Sequence, residues 1–404
     1  MKTVGIVAEY NPFHNGHAWH ISESRRRFGE DTAVAVVMSG DFVQRGEAAV
    51  YSKFARAEAA CRCGADLIVE LPLPWCVASA EGFARAALYI LSSLGTEVLS
   101  FGSETEKLEE MEEVAELVRQ EDFLVELRQQ MKQIPTQGFA VTRQILAEQR
   151  LGKLLPWMRL PNSILGLEYL KAIREGGLNM SPCAVMRRGV GHDAAGYGHY
   201  SSASELRSRL KSGESIEKAV PVAAGEVFRR ERDAGRQVSD LERYDLVILS
   251  RLRFLGIDDF LQLPDANDGL AERLFEAVHR EKELEAVVRS SVTRHFPLSR
   301  IRRQLLCAAL GITAKQFAGM PPYIRVLAFS ETGKEWLHNL RKTSLLPVLT
   351  KPAHVRDISP EAGRVFECGA VAHDLYTLCY SLCGVQACGE DWRKGPSVIL
   401  SEKR

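Results

Sequence analysis

The apolar positions of the first hundred residues fall into short unbroken runs, separated by stretches with helical spacing. Thr3-Val4-Gly5-Ile6-Val7-Ala8, Thr32–Met38, Asp66–Leu71 and Glu97–Phe101 each read as a strand buried on both faces. Their apolar residues follow one another without the alternation that a half-exposed strand shows. Between them, His17–Phe28, Ser52–Cys63 and Ser79–Leu94 have the three- and four-residue spacing of helices. Strand and helix in alternation predict a parallel sheet with helices on both faces. Ligands of such sheets bind beyond the C-terminal strand ends. That puts the loops Glu9–His17, Ser39–Glu47 and Gly102–Glu104 along one rim.

Further along, helices are predicted at Thr136–Arg150 and Ser163–Arg174, a strand at Ser181–Met186, and a helix at Ser204–Lys211. Beyond Gly213 the strand pattern fades, and Leu241–Leu255, Ala271–Ser290 and Leu298–Leu310 show helical spacing. The expected organisation is a sheet-containing region over 1–215, with a helical insertion at about 104–175, then a mainly α-helical region over 216–404. Glu104–Glu126 carries ten acidic residues against only Lys107 and Arg119. A solvated helix face accounts for that bias better than an acidic binding site does.

Composition narrows the classes. A chain of 404 residues, 46% hydrophobic, can bury at least one large core. Lys+Arg and Asp+Glu both number 52, so net charge gives no sign of a nucleic-acid partner, and charge distribution must decide that. No apolar run reaches the ~20 residues of a membrane span, and Met1–Ala8 is too short and strand-like for a signal peptide. Nine cysteines without a regular framework suit reduced thiols. The expectation is a cytoplasmic protein with no membrane attachment. Cys379, Cys383 and Cys388 lie near His373, but their spacing is unlike a metal pair, and buried thiols on a helix are the better reading.

The chemistry concentrates in Glu9-Tyr10-Asn11-Pro12-Phe13-His14-Asn15-Gly16-His17, where the first strand ends and the first helix begins. A helix N-terminus offers free N–H groups and partial positive charge to a phosphate. Gly16 clears space for close approach to the backbone. His14 and His17, three residues apart, can aim their rings the same way and stabilise charge on a pentavalent α-phosphate and a departing pyrophosphate. A chance surface pair and a zinc pair are the alternatives, and no third ligand stands at metal-site spacing. Downstream, Tyr200-Ser201-Ser202-Ala203-Ser204-Glu205-Leu206-Arg207 combines hydroxyls with an arginine at a helix start. Ser201, Ser202, Ser204 and Arg207 are therefore candidate phosphate contacts, with an ordinary serine cap as the competing reading.

HxGH at the first strand–helix turn, with the later S-S-x-S-x-x-R segment, resembles the HxGH nucleotidyltransferase superfamily. More narrowly, the chain resembles the bacterial tRNA(Met) cytidine acetate ligase family. Besides Gly5–His17, the likeness rests on Met38–Glu47, Gly64–Pro72, Phe101–Glu104, Leu160–Leu165 and Pro322–Phe329, so it runs through nearly the whole chain. It implies an α/β fold: a Rossmann-like parallel-sheet nucleotidyltransferase domain followed by a mainly α-helical, tRNA-binding domain. It also implies that ATP and acetate form acetyl-adenylate and pyrophosphate, and that the acetyl group passes to N4 of the wobble cytidine of elongator tRNA(Met). ATP would then lie on Val7, Ala8, Glu9, Tyr10, Asn11, Pro12, Phe13, His14, Asn15, Gly16, His17 and His20. Gly102, Asn162 and the pair Arg187-Arg188 would complete that site, with Mg²⁺ as the expected companion of ATP. Asp41 stands where the family usually has Asn; it could hold Mg²⁺ or cap a turn.

A tRNA partner requires a basic face. Arg289–Arg356 holds twelve Lys/Arg, with Glu331 and Glu335 its only acids. Arg294, Arg300, Arg302, Arg303, Arg325, Arg341 and Lys342 are the candidate contacts, and Phe296, Tyr323 and Trp336 are candidates for stacking bases unless they are core. His192 and His199, in a glycine-rich stretch, could belong to a loop over the site. The rival readings are nucleotidyl transfer to a small cofactor precursor, acetate activation for a protein thiol, and an RNA-binding protein with a disabled nucleotide site. Intact His14, Gly16 and His17 oppose the last.

Overall fold

The computed structural model describes residues 2–134, 138–187, 200–238, 241–266, 269–382, 385 and 388–400. Arg188, His192, His199, Cys383 and the side chains of Arg341 and Lys342 lie outside the described residues. The strands are β1 (Thr3–Ala8), β2 (Ala33–Ser39), β3 (Phe42–Val43), β4 (Glu47–Ala48), β5 (Leu67–Leu71), β6 (Val98–Ser103), β7 (Ser181–Met186), β8 (Ile324–Ser330), β9 (Val348–Leu349) and β10 (Ser397–Ile399). The helices of the first half are α1 (Asn15–Phe28), α2 (Lys53–Arg62), α3 (Ala80–Ser93), α4 (Leu108–Leu117), α5 (Glu121–Gln133), α6 (Phe139–Leu151), α7 (Pro161–Glu175) and α8 (Ala203–Lys211). Then come α9 (Val222–Asp233), α10 (Leu241–Leu252), α11 (Ile257–Leu261), α12 (Leu270–Arg280), α13 (Leu284–Ser291), α14 (Leu298–Leu310), α15 (Glu331–Thr343), α16 (Pro360–Thr377) and α17 (Glu390–Arg393).

The main sheet runs β10-β8-β5-β2-β1-β6-β7, with β9 beside β8. β1 pairs in parallel with β2, Thr3 opposite Ala33, and with β6, Val4 opposite Val98. From β1 the chain steps outward through β2 to β5, then returns to the other side of β1 as β6. The crevice between the ends of β1 and β6 is thus the switch point at which such sheets bind ligands. Apolar runs make these strands because both faces are covered: every residue of β2 and β5 is buried. On one face, α3 approaches β1 so closely that a Cβ on Gly5 would meet Leu91 at 2.7 Å.

The sheet is parallel-dominated, and the mainly helical region after residue 215 also contributes strands to it. β8 pairs antiparallel with β5, Leu67 opposite Phe329, and β10 pairs with β8. β8 carries Arg325 in an otherwise apolar run, and the charge hides the pattern. Arg325 is tolerated because Glu70 on β5 and Asp391 on α17 each lie 3.0 Å from its guanidinium. The run Ala271–Ser290 is also two helices, divided at Glu281-Lys282-Glu283.

Candidate active site at the β1–α1 turn

The backbone leaving β1 turns sharply, with Tyr10 in the left-handed region at φ 49°. It enters α1 through His14, the N-cap. Two imidazoles close this cap. His14 Nδ1 accepts from the Gly16 N–H at 3.1 Å, and His17 Nδ1 accepts from the His14 N–H at 3.2 Å. The rings stack with centroids 3.6 Å apart. A neutral imidazole that accepts at Nδ1 carries its hydrogen on Nε2, so both rings are fixed as Nε2–H donors. The His14 Nε2 is buried and has no partner among the described residues. Burial pushes His14 and His20 each down to about 4, and His17 well below the usual histidine range, with Arg187 adding to all three shifts. These are neutral donors at pH 7, not acids. His20 Nε2 lies 2.9 Å from Ser100 Oγ on β6, which joins the helix to the neighbouring strand.

Across the crevice, Arg187 follows the end of β7 and donates to Asn162 Oδ1 at 2.6 Å. Asn162 and Ser163 open α7, and the Glu104 carboxylate accepts from the Ser163 N–H at 2.8 Å and its hydroxyl at 2.7 Å. Burial raises the Glu104 carboxyl, but hydrogen bonds from Asn162 and Ser163 outweigh it and hold the group below its ordinary range. A Cβ on Gly102 would touch the Arg187 stem at 3.4 Å. Gly102, Asn162 and Arg187 are therefore brought together opposite the histidines. Arg207 reaches back from α8 to the Asn11 carbonyl at 3.0 Å.

Sequence reasoning missed Arg56. Its guanidinium is fully buried and donates to the carbonyls of Glu9 at 2.5 Å, Ser39 at 3.2 Å and Gly40, while its Nε donates to Tyr51 O at 2.9 Å. It spans the loops after β1 and β2 and fixes their spacing. The only available signal was an arginine on the alanine-rich face of a helix. Glu9 lies beside it, its carboxyl raised by burial against the pull of Arg45, Arg207 and Arg56.

Other candidates are placed elsewhere. Asp41 accepts from the Lys53 N–H at 2.8 Å and lies 2.8 Å from His373 Nδ1, so both oxygens are used and the Mg²⁺ reading fails. Ser202 caps α8 by accepting from the Glu205 N–H, the ordinary serine cap, and Ser201 donates to the Glu205 carboxylate at 3.3 Å, which spends its hydrogen. Ser204 is exposed on the first turn of α8. Arg325 is buried and ion-paired, which excludes it from RNA contact. Phe296, Tyr323 and Trp336 are core residues. Arg302 is tied to Glu47 and Glu285, Arg300 donates to Asp265 O at 2.8 Å, and Arg294 is exposed. Among the described residues, no group of three His, Cys, Asp or Glu side chains is placed to hold a metal, and no helix is long and apolar enough to cross a membrane.

A parallel-dominated sheet with histidine N–H donors at its switch point suits a nucleotidyl transferase, and the HIGH Nucleotidyl Transferase family matches residues 1–389. The tRNA(Met) cytidine acetate ligase of Syntrophotalea carbinolica is 36% identical over 366 residues, 88% of this chain and 86% of that protein. Its namesake from Acetivibrio thermocellus is 31% identical and covers 99% of this chain and 100% of its own. The crystal structure of Thermotoga maritima TmcAL bound with alpha-thio ATP matches with a TM-score of 0.91 at 28% identity, over 99% of this chain and 100% of that one. The chain belongs to the tRNA(Met) cytidine acetate ligase family.

Proposed function

We propose that this enzyme activates acetate with ATP at the β1–α1 turn and transfers the acetyl group to N4 of the wobble cytidine of elongator tRNA(Met). An acetate oxygen attacks the α-phosphorus, and the bond to the bridging oxygen of the β-phosphate breaks. Pyrophosphate leaves with that electron pair, and acetyl-adenylate remains. The cytidine N4 then attacks the acetyl carbonyl, AMP leaves with the C–O bond pair, and the N4 proton passes to solvent.

The observation that carries this reading is the pair of histidines held as neutral Nε2–H donors at the start of α1. They would donate to phosphate oxygens as charge builds, without moving a proton, and a preorganised donor of this kind is effective in a dry site. Arg187 would add charge from the far side of the crevice, with Asn162 holding its guanidinium. Gly102 would leave room for adenosine against β6. Mg²⁺ would accompany the nucleotide and neutralise phosphate charge. Asp41 does not fit it, and no step here depends on a protein-held metal. Relatives named for tRNA(Met) and a TmcAL bound with alpha-thio ATP support the choice of substrates.

The test is incubation with ATP, labelled acetate and elongator tRNA(Met). The expected outcome is acetate-dependent ATP–pyrophosphate exchange without tRNA, and N4-acetylcytidine in the tRNA when it is added. Exchange with no modified nucleoside would leave nucleotidyl transfer standing and exclude cytidine as the acceptor.

A further inference from the structure

Two strands out from β1, past the end of β5, lies a cavity of about 280 Å³ that the ATP reading does not use. One wall is the turn after β5 with the first turns of α3, including Trp75 and Arg85. The facing wall is Arg303 and Gln304 of α14, and Phe317 closes one side. Trp75 Nε1 donates to Gly319 O at 3.1 Å and pins that side in place.

Two arginines and a glutamine line this cavity. Arg303 is half-buried, and burial holds its guanidinium below the usual arginine range. It makes no ion pair or hydrogen bond with any described residue. Arg85 stands exposed at the mouth, equally unpaired. Gln304 is 3% exposed, and its amide oxygen has no partner. A buried polar atom left unpaired is costly to the fold, and a partly desolvated guanidinium gains from an anion beside it. All three residues line the cavity, with the Gln304 oxygen just beneath its surface. Asp265 is the only carboxylate among the lining residues, and it attracts the Arg303 guanidinium without coming within ion-pair distance.

We propose that this cavity is a second nucleotide subsite, separate from the β1–α1 turn, which holds one nucleotide of the RNA substrate. A phosphodiester would take the charge of Arg85 and Arg303. The base would lie on Phe317, and an exocyclic amine, as on cytosine or adenine, would donate to the Gln304 oxygen. Location favours a strand already bound at the active-site rim. The β3–β4 hairpin joins the two sites: Arg45 pulls on the Glu9 carboxyl, and a Cβ on the next residue, Gly46, would lie 2.5 Å from the Arg303 backbone nitrogen. The inference rests on the proposed RNA substrate.

The test compares wild type, Arg85→Met/Arg303→Met and Gln304→Leu, each first shown to melt cooperatively. Three readouts are used: tRNA affinity across a salt series, acetate-dependent ATP–pyrophosphate exchange without tRNA, and binding of CMP with the ATP site filled by alpha-thio ATP. The double variant should bind tRNA at least tenfold more weakly with a shallower salt slope, and exchange should stay within about twofold. Gln304→Leu should lose affinity severalfold with the slope unchanged, because it removes no charge. CMP should bind wild type and not the double variant. Unchanged tRNA affinity in both variants overturns the subsite, as does an equal loss of exchange and tRNA binding, which would mark a structural role. If wild type binds no tRNA, the substrate assignment fails. CMP binding lost in the variants would then still support a nucleotide subsite, and its absence in wild type would overturn it.

Discussion

At the scale of single residues, tautomer and charge state decide what the histidines do. His14 and His17 each use Nδ1 to close the α1 cap, so one nitrogen builds the turn and the other is left as an N–H donor. His14→Ala should lower ATP–pyrophosphate exchange by ~10²–10³, the usual loss for one preorganised donor. Near-normal exchange in the folded variant would remove it from the site. The pH profile carries independent information. A histidine near its ordinary 6.5 would make the rate titrate between pH 6 and 7. With His14 pushed down to about 4 by burial, the neutral donor persists through that range and is lost only as pH falls through about 4. Exchange should therefore be flat across pH 6–7, and a step there would show a histidine exposed to water.

At the scale of elements, the short β3–β4 hairpin matters more than its length suggests. It packs against α14 through Gly46, which has φ 74° and sits within 2.6 Å of the Arg302–Arg303 backbone at its would-be Cβ. Only glycine meets both the dihedral and the clearance. Gly46→Ala should cost about 1–3 kcal/mol, the range for enforced backbone strain, read as a lower denaturation midpoint with an unchanged m-value. An unaffected midpoint would mean the hairpin can lift from α14 freely. α2 is the other such element. Its N-terminus binds Asp41, and its Arg56 ties the loops after β1 and β2, so it holds the histidine turn from behind.

At the scale of the molecule, a buried ionic cluster clasps the C-terminal segment to the sheet. Lys53 lies 2.9 Å from Glu70 and 2.6 Å from Asp391, and His373 bridges Asp41 and Glu390 at 2.8 and 2.9 Å. Burial alone would lower His373, but Asp41 and Glu390 outweigh it and raise the ring from 6.5 to about 10. Glu390 is pulled from 4.5 down to about 2: burial opposes this, and hydrogen bonds from His373 and Lys394 prevail. A raised histidine contributes fully below its unfolded value and fades as pH rises through the folded one; a depressed carboxyl contributes above its unfolded value and fades as pH falls. The clasp should be strongest between about pH 4.5 and 6.5. The Tm gap between wild type and His373→Gln should shrink steadily from pH 6.5 to 10. A constant gap would show that His373 acts by packing alone.

The sequence by itself determined the strand–helix alternation of the first hundred residues and the rim on which the site lies. Those signals are local: continuous apolar runs specify doubly covered strands, and a glycine and two histidines at a strand–helix turn specify a phosphate-ready cap. It also marked Gly102, Asn162 and Arg187 through the family resemblance, and the fold brings them together. Tertiary structure alone decided whatever depends on distant partners. β8 reads poorly because Arg325 interrupts it, and only Glu70 and Asp391, 255 and 66 residues away, make that charge tolerable. The same physics withdrew Arg325, Tyr323 and Trp336 from the basic face and turned Asp41 from a metal candidate into a counterion. A charge or an aromatic ring carries no mark of its burial, and burial is fixed by packing between segments that meet only in the folded chain.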